Sequence, residues 1–116
     1  MGKLLPLHGR KAFDQVFRRG RLYRHPLMVL RLSANDLPCC RLGLVAGKRL
    51  GKATVRNRAK RRLREALRRL PLAPGWDLVF VLRPPAAQAS YQQLGQAARQ
   101  LLARAGALQE PGEEGL

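Results

Sequence analysis

Residues 47–70 read GKRLGKATVRNRAKRRLREALRRL, and this stretch decides the fold of the 116-residue chain. On a helix that turns by about 100° per residue, its apolar residues fall in one stripe. That stripe contains Val55, Ala59, Leu63, Ala66, Leu67 and Leu70. We therefore predict a helix over residues 53–70, termed the basic helix, whose apolar stripe packs on a core.

The opposite face of the basic helix is almost entirely cationic. Residues 47–70 hold eleven of the chain's 23 lysines and arginines and a single acid, Glu65. Solvated helix faces normally mix the two signs, and like charges three or four residues apart destabilise a helix by a few tenths of a kcal/mol per pair. A bound polyanion relieves this repulsion, so the face predicts a nucleic-acid partner.

The composition of the whole chain also indicates a polyanionic partner. A net charge of +16 with 46% hydrophobic residues describes a folded basic protein and not a disordered basic tail. The length suits a single domain. No apolar run approaches the ~20 residues of a membrane-spanning helix, and the first residues lack the apolar core of a signal peptide. We expect a cytoplasmic protein that enters no membrane.

Apolar periodicity and turn residues predict six further elements around the basic helix. The predicted helices cover residues 11–19 and 91–104, and the predicted strands cover residues 21–25, 26–33, 41–46 and 76–82. The order α-β-β-β-α-β-α indicates an α+β fold, with helices packed on one sheet of about four strands. We predict an irregular segment at 1–9, one RNA-binding domain at 10–106 and a disordered acidic tail at 107–116.

Two aromatic residues lie on one face of the first predicted helix. Phe13 and Phe17 are four residues apart and stand beside Arg18, Arg19 and Arg21. Such a pair is as often part of a core as it is an exposed platform on which nucleic-acid bases stack. The residues alone leave both alternatives open.

The chain has few residues of the types that catalyse reactions or bind metal ions. A metal-dependent nuclease would need Asp14, Glu65 and Asp77 to converge from distant positions, because the other acids of the chain are isolated or lie in the tail. Cys39 and Cys40 are adjacent, which strains a disulfide, and two thiols are too few for a zinc site. We expect no catalytic residue and no metal site on the polypeptide itself.

The run LGLVAGKRLGKATVRNRAKRRLREAL, residues 42–67, strongly resembles the signature of the bacterial ribonuclease P protein component. Its Arg56-Asn57-Arg58 matches the RNR motif of that family. The resemblance extends to FDQVFRRG at residues 13–20 and to WDLVFVLRPPAA at residues 76–87, and it covers roughly residues 10–105.

The resemblance implies the protein subunit of an endoribonuclease P holoenzyme, which removes the 5′ leader of precursor tRNA. Its partners would be the ribonuclease P catalytic RNA and precursor tRNA, with no further protein partner. The RNA would perform the hydrolysis with Mg²⁺ that it holds mainly itself. The family fold also implies a left-handed crossover through the basic helix, against the usual right-handed rule. A small ribosomal RNA-binding protein, which shares this charge and size, is the alternative.

The resemblance also implies roles for individual residues. Ten residues would bind the catalytic RNA, namely Lys48, Arg49, Lys52, Arg56, Asn57, Arg58, Lys60, Arg61, Arg64 and Arg68. Phe13 and Phe17 would bind the leader together with Arg31, which stands where relatives often have a tyrosine. Lys52 stands where relatives often have an asparagine.

Overall fold

A computed structural model describes residues 4–109, which form one mixed five-stranded sheet and three α-helices. In chain order the elements are β1 (Leu4–Pro6), α1 (Arg10–Arg19), β2 (Arg21–Arg24), β3 (Met28–Ala34), β4 (Cys40–Ala46), α2 (Ala53–Arg68), β5 (Trp76–Leu82) and α3 (Tyr91–Ala105). Short 3-10 turns at Lys48–Leu50 and Pro84–Gln88 precede α2 and α3. The α+β class is confirmed, as is the order of elements from α1 onward.

The strands lie in the order β1-β4-β5-β3-β2. The central strand β5 pairs in parallel with β4 and antiparallel with β3. At one edge β2 is antiparallel to β3, and at the other edge β1 is parallel to β4. Two parallel neighbours need a crossover connection, and α2 is part of the connection between β4 and β5.

The two faces of the sheet carry different layers. One face packs against α2 and α3 and forms the main core, in which Leu30, Leu78 and Phe80 are fully buried. The other face carries α1, whose Val16 packs on Val79 in a smaller cluster. The predicted apolar stripe is confirmed by the four residues of α2 that are buried, namely Ala59, Leu63, Ala66 and Leu67.

The fifth strand is β1, which lies within the segment 1–9 that was expected to be irregular. The prediction was wrong for Leu4–Pro6, and residues 1–3 lie outside the described part of the chain. Leu7 donates its N–H to the carbonyl oxygen of Leu42 at 2.8 Å, so the nitrogen of the preceding Pro6 faces away from β4. Proline is tolerated at that edge because its missing N–H removes no bond from the sheet.

We predicted a disordered tail at residues 107–116, and this prediction placed the start of the tail too early in the chain. Ala107 and Leu108 are buried, and Leu108 forms an isolated β-bridge with Leu72. Ala107 accepts a hydrogen bond from the N–H of Ala73, and Gln109 donates one to Pro71, both at 2.8 Å. The segment after α3 is therefore held against the segment after α2. Residues 110–116 lie outside the described residues.

Candidate nucleic-acid interface

Two rows of polar side chains follow α2 and its C-cap residue, Arg69, while Arg58 and Arg62 lie outside these rows. The first row consists of residues four apart, Arg56, Lys60, Arg64 and Arg68, and the second row consists of Asn57, Arg61, Glu65 and Arg69. Arg56 and Lys60 are half-buried, whereas the other six are exposed. Four residues advance ~6 Å along a helix axis. The first row is therefore an evenly spaced line of cations.

The cations of α2 have no acidic partner within residues 4–109. The single salt bridge in that part of the chain joins Arg41 to Asp77, neither of which belongs to α2. Glu65 is the only acid on the helix and is exposed. Because no acid of residues 4–109 pairs with them, these side chains produce a positive field that attracts phosphates.

The segment before α2 adds three cations at its N-terminal end. Lys48 and Arg49 are exposed on a 3-10 turn, and buried Leu50 anchors that turn in the main core. Gly51 follows with φ of 133°, a conformation that favours glycine. Lys52 is the N-cap residue and makes no side-chain capping bond. A cation there opposes the helix dipole unless an anion lies nearby.

Two arginines of α2 are partly held inside the protein. Arg62 donates from Nη1 to the carbonyl oxygen of Ala89 at 3.1 Å, which ties α2 to the residue after the second 3-10 turn. The Nε of Arg56 is buried and has no hydrogen-bond partner in the described structure. An unpaired buried donor costs about 1–3 kcal/mol. A ligand that supplies an acceptor at Arg56 recovers this cost.

The two phenylalanines of α1 lie in different surroundings, since Phe13 packs against the smaller cluster around the fully buried Val16 whereas Phe17 lies at the surface. Phe13 is half-buried and its ring lies directly on Gly43 of β4, where a Cβ atom would come within 2.4 Å of Phe13 Cζ. Phe17 is 38% exposed. Gly43 is itself a signal for this contact in the sequence, because a glycine among large residues of a strand often marks a close approach of another group.

Arg31 of β3 lies beside Phe17. Its guanidinium carbon is 5.0 Å from the centre of the Phe17 ring, and its Nη1 donates to the carbonyl oxygen of Phe17 at 3.2 Å. Leu22, opposite Arg31 on β2, is 36% exposed. These three side chains form a ledge of apolar and cationic surface, termed the aromatic ledge, on the face of the sheet opposite α2. Such surfaces suit unpaired bases.

The acids that a nuclease would need do not converge. Asp77 is buried and accepts bonds from Arg41 Nε at 2.7 Å, from Arg41 Nη2 at 2.6 Å and from Asn35 Nδ2 at 2.9 Å. This bonding raises the pKa of the Arg41 guanidinium. Asp14 and Glu65 are exposed on helices on opposite faces of the sheet. No cluster of three metal-ligating side chains exists within residues 4–109, so these residues do not fit a protein-held Mg²⁺.

The adjacent cysteines are both free thiols. Cys40 is buried, and its Sγ donates to the carbonyl oxygen of Ala73 at 3.0 Å. Burial raises the pKa of the Cys40 thiol, although the backbone contact at Trp76 acts in the opposite direction. The neighbouring Cys39 is half-buried. Cys40 therefore acts as a small core residue that joins β4 to the segment after α2.

An α+β domain with an uncompensated cationic helix on one face of its sheet and an aromatic ledge on the other defines a nucleic-acid-binding protein. A sequence model described as Ribonuclease P matches residues 1–106. The chain belongs to the ribonuclease P protein family, and it is an RNA-binding subunit of that tRNA-processing endoribonuclease. This assignment replaces the alternative of a ribosomal protein. No helix of residues 4–109 is long and apolar enough to cross a bilayer.

The ribonuclease P protein component of Dehalococcoides mccartyi strain CBDB1 is 38% identical over 105 residues, which cover 90% of this chain and 88% of that protein. The ribonuclease P protein component of Roseiflexus castenholzii is 42% identical over 102 residues, which cover 85% of this chain and 84% of that protein. Among solved structures, the ribonuclease P protein of Thermotoga maritima has a TM-score of 0.78 at 28% identity, covering 85% of this chain and 96% of that one. The ribonuclease P protein of Staphylococcus aureus has a TM-score of 0.82 at 23% identity, covering 92% of this chain and 100% of that one. This similarity shows the shared fold.

Proposed function

We propose that α2 and the segment before it bind the catalytic RNA, while Phe13 and the aromatic ledge hold the 5′ leader of precursor tRNA. The protein thereby assists removal of the leader, in the cytoplasm. The observation that carries this proposal is the set of cations on α2, which form no salt bridge within residues 4–109 and lie on the face opposite the ledge. One sheet can then contact two RNA segments at once, without forcing their phosphates together.

The chemistry is assigned to the RNA. Within residues 4–109 no three acids converge on one site, and Asp77 is bonded to Arg41 and Asn35. The side chains therefore supply binding and orientation. Mg²⁺ belongs to the RNA in this proposal, and no step is assigned to an ion on the protein.

Phosphate binding by α2 predicts a strong dependence on salt. If about six phosphates are neutralised, the logarithm of the association constant with the catalytic RNA falls with a slope of about −4 to −5 against the logarithm of salt concentration. Filter binding between 50 and 400 mM salt, roughly the range over which such slopes are measured, gives this value. A slope near zero contradicts the phosphate-binding role.

Leader binding predicts a difference between precursor and mature tRNA. Each base stacked on an aromatic side chain contributes ~1–3 kcal/mol. The variant Phe13→Ala/Phe17→Ala in the assembled holoenzyme should therefore weaken binding of precursor tRNA and leave binding of mature tRNA unchanged. Leu37→Ala is the matched control, since Leu37 is 40% exposed but lies in the loop after β3. An equal loss for both tRNAs contradicts the assignment.

The experiment that tests the whole proposal is cleavage of a 5′-extended precursor tRNA at low Mg²⁺. Three reactions are compared: the protein alone, a bacterial ribonuclease P RNA alone, and the two together. We expect 5′-mature tRNA from the mixture only. Cleavage by the protein alone would return attention to Asp14 and Glu65, the two exposed acids on the helices.

A further inference from the structure

A groove of about 250 Å³ lies between the C-terminal end of α2 and the first half of α3. The two helices approach closely at Gly95, where an added Cβ atom would lie 3.4 Å from the Cβ of Ala66. Leu70 and Tyr91 are half-buried and line the same space, which we call the interhelix groove. It lies on the face of the sheet that carries α2 and α3, opposite α1 and the aromatic ledge.

Two arginines give the interhelix groove a positive rim. Arg69, the C-cap residue of α2, and Arg99 of α3 both line the groove and are exposed. The only salt bridge within residues 4–109 joins Arg41 to Asp77, so neither rim arginine has an ionic partner in that part of the chain. An apolar floor between two such cations suits an acidic segment that also carries small or apolar residues.

The segment after α3 runs toward the interhelix groove. It is antiparallel to the segment after α2, through the bridge between Leu72 and Leu108. One residue further on, the N–H of Gln109 donates to the carbonyl oxygen of Pro71 at 2.8 Å. A step forward along one antiparallel segment is a step back along the other. The residue after Gln109 is therefore directed toward Leu70, which lines the groove.

The sequence that follows Gln109 is acidic. Residues 110–116 read EPGEEGL and hold three of the chain's seven acids. Glu113 and Glu114 can extend at most ~13–18 Å from Gln109, whereas the groove follows α2 for only about 6 Å, from Leu70 to Ala66. Both carboxylates can therefore reach the rim. So short a tether gives an effective concentration in the ~mM range, at which weak exposed ion pairs can form.

We propose that residues 110–116 dock in the interhelix groove. The carboxylates of Glu113 and Glu114 then pair with the two rim arginines, and Leu116 covers the apolar floor. Because Arg69 belongs to the second row, the docked segment occupies one end of the cationic surface of α2. RNA that reaches this end must displace the segment. The docking is independent of the proposed function, whereas the competition with RNA rests on it.

Two other occupants fit the interhelix groove less well. A second copy of the chain would need ~20–30 interface residues on each side, whereas eight residues line this groove. RNA phosphates would match Arg69 and Arg99, but RNA binds from solution. The glutamates are instead attached beside the groove by the bridge to Leu72.

Backbone amide NMR relaxation of the full-length protein without RNA tests the docking. At ~0.01 M salt, where the Debye length is about 30 Å, the order parameters of the Glu113 and Glu114 amides should approach the ~0.85 of rigid backbone. At ~1 M salt the Debye length is about 3 Å, and the values should fall below the ~0.6 that marks flexible backbone. Values below ~0.6 at low salt, as a disordered tail predicts, would overturn the inference.

Arg99→Gln and Arg104→Gln form a matched pair for the same measurement. Each removes one exposed arginine from α3. Arg104 lies outside the groove and donates from Nη1 to the carbonyl oxygen of Arg24 at 2.9 Å. At low salt Arg99→Gln should lower the order parameters of Glu113 and Glu114, and Arg104→Gln should leave them unchanged. Equal effects of the two variants would mean that the segment senses only the total charge, and the groove would not be its site.

Binding of a bacterial ribonuclease P RNA tests the competition. If more than half of the molecules are docked, release of the segment should raise the affinity at least about twofold. Arg99→Gln should therefore bind this RNA more tightly than wild type, although it removes a positive charge. The variant Glu113→Gln/Glu114→Gln should also bind more tightly, and its gain should shrink in the Arg99→Gln background. If Arg99→Gln weakens binding more than Arg104→Gln does, RNA phosphates occupy the groove and the inference is wrong.

The outcomes separate this inference from the proposed function. If the wild-type mixture of protein and RNA fails to cleave precursor tRNA, the proposed function is wrong, while the order parameters still decide the docking. If Glu113 and Glu114 stay flexible at low salt and the mixture cleaves, the inference is wrong and the proposed function stands.

Discussion

Replacing Asp77 by asparagine should destabilise the protein without affecting catalysis. Asp77 is 6% exposed and accepts two hydrogen bonds from Arg41 and one from Asn35. The variant Asp77→Asn keeps the shape of the side chain but removes the charge, and its amide nitrogen cannot accept from Arg41 or Asn35. The guanidinium of Arg41 then loses its only ionic partner in the described structure.

The expected cost is about 2–3 kcal/mol. Removing one partner of a fully buried ion pair costs about 3–5 kcal/mol, because the remaining charge is left unpaired in a dry interior. The side chain of Arg41 keeps 35% of its exposure, so water partly solvates the guanidinium and lowers this figure. For a domain of this size the loss corresponds to a fall in Tm of about 8–12 °C.

Thermal unfolding followed by circular dichroism measures this loss for Asp77→Asn, Arg41→Gln and the double variant. The two single changes should be strongly non-additive, since both break the same pair. Asp14→Asn is the control, because Asp14 is an exposed acid of α1. If Asp77→Asn unfolds at the same temperature as Asp14→Asn, the ion pair does not stabilise the fold. If folded Asp77→Asn holoenzyme no longer cleaves at 25 °C, the carboxylate has a role in the reaction and our assignment is wrong.

Two further predictions follow from close packing. Gly43→Val places a side chain where the Phe13 ring lies. Affinity for the leader should therefore fall by the ~1–3 kcal/mol of one stacked base, while affinity for the catalytic RNA is unchanged. An equal loss of both affinities would contradict a leader-binding role for the Phe13 ring on Gly43. The Cys40 thiol has a raised pKa, so above its ordinary value of 9.0 the unfolded state binds fewer protons than the folded state and stability falls as pH rises. Urea unfolding at pH 8 and pH 10 measures this difference, and Cys40→Ala should reduce it; an unchanged pH dependence would contradict it.

The elements with a strong local signal were predictable from the sequence. The strand at Trp76–Leu82 was located correctly because seven mostly apolar residues follow Gly75, and only Arg83 separates them from a pair of prolines. The start of α2 at Ala53 was also correct, but the helix ends at Arg68 and not at residue 70. Arg69 and Leu70 donate to carbonyls three residues back, which tightens the last turn before Pro71.

The features that the sequence did not reveal depend on distant partners. β1 has only three residues, and its pairing with Cys40–Leu42 has no local pattern. Burial of Leu108 depends on its bridge to Leu72. The charge of α2 and the face shared by Phe13 and Phe17 were readable from helical spacing, whereas the position of Arg31 over the Phe17 ring depends on how α1 crosses β3. The partner of Asp77 was unreadable for the same reason, since Arg41 is 36 residues away.

Because β1 is short, it leaves the end of β4 unpaired at this edge of the sheet. Two more paired residues after Pro6 would set a neighbour against Leu44 and close the gap, with no change to any residue of the main core. A deletion there would instead uncover more of β4. Insertions and deletions before α1 therefore change how much of the β4 backbone is left unpaired at this edge of the sheet.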